Sequence, residues 1–165
     1  MMTQMQTNMR ILNPSRKKNR PGSVFALQMP DGLFSFGRLV NTDANAGFGP
    51  GAQLIYLFKD RSESKNVPPR SQLRYERLLL PPLMTNRLPW SRGYFETIAE
   101  MPFEDGEILK QHCFYSRTFN KYFDEHADEL PQPSEPVGMY GLGSYRTIDD
   151  AVSKALGIPL VPENT

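Results

Sequence analysis

Val24-Phe25-Ala26-Leu27-Gln28-Met29-Pro30-Asp31-Gly32-Leu33-Phe34-Ser35-Phe36-Gly37-Arg38-Leu39-Val40 is the stretch on which the reading of the fold turns. Its first six residues form a β-favouring run. Pro30-Asp31-Gly32 closes that run with a turn: Pro fixes φ, the Asp carboxylate can bond back to the backbone, and Gly accepts a positive φ. The chain then returns as Leu33 to Val40, with Phe34, Phe36 and Val40 on one face and Ser35 and Gly37 on the other. A loop over residues 41–51, rich in Gly and Asn, leads to a third run, Gln53 to Lys59. There Leu54, Tyr56 and Phe58 alternate with Gln53, Ile55 and Leu57, so the strand is apolar on nearly both faces and belongs inside the sheet.

Downstream of this three-stranded meander the signals are shorter. Residues 60–72 read as a charged surface loop, and Leu73 to Met84 begins as helix or strand but is cut by Pro81-Pro82. After a corner at Pro89-Trp90, Tyr94 to Ala99 reads as a strand, as do Gln111 to Ser116 and Lys121 to Asp124, with a weaker helical pattern over Phe103 to Lys110. Near the end, Thr147 with Asp150 forms a variant capping box. Ile148, Ala151, Val152, Ala155 and Leu156 fall on one stripe, and Gly157 and Pro159 stop the helix. The expected architecture is α+β: an antiparallel sheet made of the N-terminal meander plus two or three later strands, with a short C-terminal helix packed on it.

Upstream, residues 1–20 are polar, basic and without hydrophobic period, which reads as a flexible leader before a single domain over 21–160. Arg10, Arg16, Lys17, Lys18 and Arg20 carry its charge, and residues 1–30 contain no acid. Five cations without interleaved aromatics lack the base-stacking platform of a nucleic-acid arm. Charge is uneven elsewhere too: residues 96–135 hold ten acidic and three basic side chains. That excess of seven negative charges could cover a basic surface on a partner.

A 165-residue chain with 39% apolar residues is one domain with one core, and 15 prolines argue for turns over long helices. No apolar run reaches the roughly 20 residues needed to span a bilayer. The amino end lacks a secretory core, so a cytoplasmic location without membrane contact is expected. The single Cys113 forms no internal disulfide.

Few residues can carry chemistry. Asp124-Glu125-His126-Ala127-Asp128-Glu129 is the densest titratable segment, and it reads either as a general-base site or as an exposed turn. His112, His126, Asp124 and Asp128 are the candidate ligands of a divalent metal, although their spacing matches no specific zinc pattern. Cys113 reads as a catalytic thiol or as a buried, unreactive one; strand parity turns its neighbour His112 to the opposite face. Arg38 is the candidate to polarise a phosphoryl oxygen, and Asp124, His126 and Cys113 complete the catalytic set. No nucleophile elbow, zinc-protease motif or phosphate loop is present, and Gly138 to Ser144 reads as an anion cradle or a linker into the last helix.

Arg20-Pro21-Gly22-Ser23-Val24-Phe25-Ala26, Pro30-Asp31-Gly32, Phe36-Gly37-Arg38-Leu39 and Gln53 to Phe58 resemble the opening strands of the immunity protein 26 family. His112-Cys113-Phe114-Tyr115, Tyr122-Phe123-Asp124 and Tyr140 to Ile158 resemble its later half. The family carries two labels, an immunity protein that neutralises a toxin and a HocA-type organophosphate hydrolase. The resemblance implies a phosphotriester hydrolase acting on a small organophosphate, with an immunity protein that binds a toxin domain as the alternative. The residues themselves pull toward the alternative, since no obvious cationic or metal apparatus for a phosphoryl oxygen is present, whereas an inhibitor needs only a complementary surface such as the acidic stretch 96–135.

Overall fold

The computed structural model describes residues 6–162. The α+β expectation holds, with the later strands more numerous than expected. Among the described residues nine strands form two sheets.

The first sheet has the meander at its heart. β1 (Ser23–Gln28) pairs with β2 (Phe34–Ala44), and β2 with β3 (Ala52–Leu57), all antiparallel. The turn between β1 and β2 is the Pro30-Asp31-Gly32 one: Gly32 has φ 85°, and Asp31 Oδ1 accepts the Leu33 N–H at 3.1 Å. β2 outruns its expected end, and its register against β3 shifts twice on the way to Ala44, between Leu39 and Asn41 and between Asn41 and Ala44. β4 (Leu83–Thr85) starts directly after Pro81-Pro82 and covers the outer edge of β3, and β5 (Glu96–Glu100) covers that of β1. β3 is thus interior, and every one of its residues is buried, as its two-faced apolar pattern requires.

Both faces of this sheet are covered. On one, Phe25, Leu27, Leu39, Ile55 and Leu57 pack under the short helix α1 (Leu88–Ser91) and the C-terminal helix α2 (Tyr145–Ala155), with Trp90, Phe95, Ile148 and Val152 in the same cluster. On the other, Val24, Ala26, Phe36, Tyr56 and Phe58 lie beneath strandless segments, residues 70–78 with two short 3-10 turns (Arg70–Gln72 and Tyr75–Arg77) and residues 101–112 in turn and coil. The weak helical pattern over Phe103 to Lys110 is not realised; that stretch is turn and coil. At Gly37 a side chain would sit 2.5 Å from the Tyr56 carbonyl and 2.3 Å from the Phe25 ring, so β2 and β3 close up there only with glycine.

The second sheet runs β8-β7-β6-β9, from β6 (Cys113–Ser116), β7 (Lys121–Phe123), β8 (Glu129–Leu130) and β9 (Val137–Met139). β6 and β9 pair in parallel and the rest antiparallel. Phe114 anchors it to the first sheet among Ala44, Ala46, Ala52, Leu54 and Met84. Next to it, a side chain at Gly138 would lie 2.4 Å from the Pro82 carbonyl, so β9 can dock there only because that residue has none.

Two expectations need correcting. The C-terminal helix starts one turn earlier than Thr147 suggests: Ser144 is the cap, its hydroxyl accepting the Thr147 N–H at 3.1 Å. Residues 138–144 are therefore the end of β9 and the lead into that cap. The leader, over its described part, is laid along the body. Buried Asp149 accepts the N–H groups of Asn8 at 2.9 Å and Met9 at 2.7 Å, Met9 is 2% exposed, and Leu12 and Ser15 donate to the Gly93 and Trp90 carbonyls. Local polarity could not show this, because the carboxylate that holds the segment lies 140 residues away. Residues 1–5 of that expected leader lie outside the described residues.

Candidate functional site

The residues expected to form a catalytic centre are distributed over two buried networks and one exposed turn. Arg38 lies on the coil-covered face of the first sheet and is fully buried. Its Nη1 donates to the Leu73 carbonyl and to Glu107 Oε1, both at 3.1 Å, its Nη2 donates to the Met101 carbonyl, and the guanidinium stacks 3.9 Å from the Phe103 ring centroid. Glu107 Oε1 also accepts from Arg70 Nη1 at 2.7 Å and from the Glu104 N–H at 2.8 Å. The logic is structural: segments without strand partners leave carbonyls that need donors, and a planar guanidinium supplies several. Arg38 is fully buried with both Nη groups committed to these acceptors, which corrects its expected role at a phosphoryl oxygen. Burial lowers the Arg38 pKa most, against the favourable Glu107 contact. For Glu107, burial pushes the pKa up, but the Glu104 N–H and the two guanidiniums outweigh it and hold the carboxyl below its ordinary value.

The second network includes Tyr56, the cross-strand neighbour of Arg38. Its hydroxyl is 2.7 Å from His112 Nε2 and accepts the Leu109 N–H at 3.1 Å, while His112 Nδ1 contacts Glu125 Oε2. The consistent assignment has the Tyr56 hydroxyl donating to Nε2 and the Nδ1–H donating to the carboxylate. Burial pushes the Tyr56 phenol strongly upward, so it stays protonated. Burial also raises Glu125, and His112 more than offsets that, leaving the carboxyl below its ordinary value. Such a relay resembles a general-base arrangement on paper. Here it fastens residues 109–112 and the loop at Glu125 to the sheet.

The remaining candidates sit apart. Asp124 caps its own turn, its Oδ1 accepting from His126 N at 2.8 Å and Asp128 N at 3.0 Å. The His126 ring is 64% exposed with Nε2 3.4 Å from Glu125 Oε1, and Asp128 is on the surface. Of the two readings of this segment, the turn is the one built. Cys113 is 1% exposed. Among the described residues no three His, Cys, Asp or Glu side chains are grouped to hold a metal, so the expected set of His112, His126, Asp124 and Asp128 is not assembled.

What the structure does present is a surface. Strand register sets Leu130 opposite Tyr122, Tyr122 opposite Tyr115, and Tyr115 opposite Met139, one residue from each strand in a row across the second sheet. Phe114 and Gly138, one residue out of phase, face the first sheet. Tyr115 and Tyr122 stack obliquely at 5.3 Å, the Tyr115 hydroxyl donates to Asn120 Oδ1 at 2.5 Å, and Met139 is 62% exposed. With Pro133, Glu135 and Val137 these side chains line a shallow concavity of about 520 Å³. Exposed Phe119 lies in the loop joining β6 to β7. Sequence reading missed this row, although the alternation of Cys113, Tyr115 and their neighbours carried half of it; the partner strand β9 lies too far along the chain to be paired by eye.

Five of the ten acidic side chains of residues 96–135 are in ion pairs among the described residues. Glu96 binds Lys65, Glu104 and Glu107 bind Arg70, Glu125 binds His112 and Glu129 binds Lys121. Glu100, Asp105, Asp128 and Glu135 remain exposed without an ion pair among the described residues.

The model of the family described as Immunity protein 26 matches residues 20–124, more than half of the chain. The chain belongs to that family. No curated protein and no solved structure matches it. The match carries the immunity label alone, and with the dispersal of Arg38, Cys113, Asp124 and His126 it overturns the expectation of an organophosphate hydrolase. No helix among the described residues is long and apolar enough to cross a membrane.

Proposed function

We propose that this member of the immunity protein 26 family binds and neutralises a toxin domain, and that it does so through the outer face of the second sheet. The observation that carries the location is the row Leu130, Tyr122, Tyr115 and Met139, one side chain from each of four strands, on the face turned away from the core. Tyr and Met are the side chains enriched at the centres of protein interfaces, since they cover large areas at little conformational cost. Two sheets stapled through Phe114 hold the face rigid, which limits the entropy lost on docking. Glu135 in the concavity and Asp128 at the neighbouring hairpin favour a partner with a basic surface, such as a nuclease site.

The test is titration of the purified protein against the toxin domain encoded beside it. Tyr122→Ala and Met139→Asp are expected to weaken binding by about tenfold to a hundredfold while leaving thermal unfolding nearly unchanged. Unchanged affinity in both variants removes this face from the interface. Failure of the native protein to bind that domain or protect against it removes the immunity reading itself.

A further inference from the structure

The docked N-terminal segment creates a feature distinct from the proposed toxin face. Backbone bonds from Leu12 to Gly93 at 2.7 Å and from Ser15 to Trp90 at 3.0 Å pin the chain at two points. Arg16, Lys17 and Lys18 follow at once and form one wall of a cleft of about 470 Å³; Arg87 stands on the other, with Gln53 and Thr42 also lining it. A second cleft, of about 380 Å³, shares Ser15, Lys17, Asn19 and Trp90 with it. The first has four cationic side chains and no acidic one in its lining, and none of the four is in an ion pair among the described residues. Cations on a free leader would spread apart in water, and the backbone bonds hold these together against their repulsion.

Trp90 adds an independent sign. It is 3% exposed, lines both clefts, and its indole Nε1, which can only donate, has no partner among the described residues. A buried donor without an acceptor is a cost that an incoming oxygen would relieve.

We infer that this cleft binds a small, multiply charged oxyanion, a ligand carrying two or more phosphate or carboxylate groups. The volume suits a molecule of nucleotide or tricarboxylate size. Arg16 and Arg87 can each meet a phosphate or carboxylate with paired N–H donors, while Lys17 and Lys18 act as point charges.

Trp90 is the only tryptophan in the chain, so its emission reports on the cleft without a label. The free full-length protein is titrated in low salt with tripolyphosphate, ATP and citrate, following fluorescence and heat. Saturable binding of at least one of them is expected, with preference among the three telling phosphate from carboxylate. Arg87→Ala and Lys17→Ala, both at exposed positions, should each weaken it about tenfold, the loss of one charge-assisted contact. Both variants should keep their affinity for the toxin domain, which separates this site from the proposed interface. The inference is overturned if none of the probes saturates at millimolar concentration, or if the two variants bind as the native protein does. It is equally overturned if a single-stranded oligonucleotide binds more tightly per charge than the small anions, since the cleft would then serve nucleic acid.

Discussion

Removing the Glu107 side chain should show how much of the coil-covered face depends on one buried carboxylate. Glu107→Ala takes from Arg38 its counter-charge at 3.1 Å, from Arg70 its partner at 2.7 Å, and from the Glu104 N–H its acceptor at 2.8 Å. Arg38, fully buried, keeps its bonds to the Leu73 and Met101 carbonyls and its stacking on Phe103, but no negative charge remains beside it. Breaking a buried pair by deleting one member typically costs about 3–5 kcal/mol. The surviving carbonyl contacts place this case near the lower end, at about 3–4 kcal/mol. For a chain of this size that corresponds to a fall in Tm of about 6–16 °C. Against a total stability of about 5–15 kcal/mol the variant should still fold. Urea unfolding followed by circular dichroism measures the loss. The double variant Arg38→Met with Glu107→Leu removes both charges and should lose less than the sum of the two single changes by at least about 1 kcal/mol. A loss under about 1 kcal/mol for Glu107→Ala, or strict additivity in the double variant, refutes the view that this pair fastens residues 101–107 to the sheet.

Three further outcomes follow from the same structure. Asp149→Ala removes the acceptor for the Asn8 and Met9 amides, so trypsin should cut native protein faster at Arg10 to Arg20, with a stability loss of about 1–3 kcal/mol. Gly138→Ala drives a methyl into the Pro82 carbonyl and the Phe114 ring, and should lower the urea midpoint by an amount equivalent to about 1–3 kcal/mol. Stability should also drop in acid: Glu107 and Glu125 sit below their ordinary value of 4.5, so their contribution is complete above that pH and is lost as the pH falls through their folded-state values. Asp149, raised by burial, acts in the opposite sense, so Glu107→Gln should flatten the acid limb of a pH series of urea midpoints and Asp149→Asn should steepen it.

Local chemistry was enough for the meander. Pro30-Asp31-Gly32 determines a turn, the two-sided apolar pattern of Gln53 to Lys59 determines an interior strand, and Gly157 with Pro159 ends the last helix, because each depends on neighbours in sequence. Residues 112, 113, 124, 126, 128 and Arg38 read as a catalytic inventory from their residue types. Yet Arg38, His112 and Asp124 are taken up by hydrogen bonds within the fold, while the His126 ring is 64% exposed and Asp128 lies on the surface. A titratable side chain can serve either chemistry or the satisfaction of backbone groups, and its residue type does not say which.

Only the tertiary structure chose between those uses. The carbonyls of Leu73 and Met101 that occupy Arg38, the phenol of Tyr56 that occupies His112 and the carboxylate of Asp149 that holds Asn8 all come from tens of residues away or more. The same is true of the aromatic row, which exists because β9 pairs in parallel with β6, and of the cationic cleft, which exists because residues 12–15 bond to the backbone near Trp90. Sequence fixes what a side chain can donate, accept or bury. Which partner meets it depends on long-range pairing, whose energy is shared across the whole fold and leaves no mark on adjacent residues.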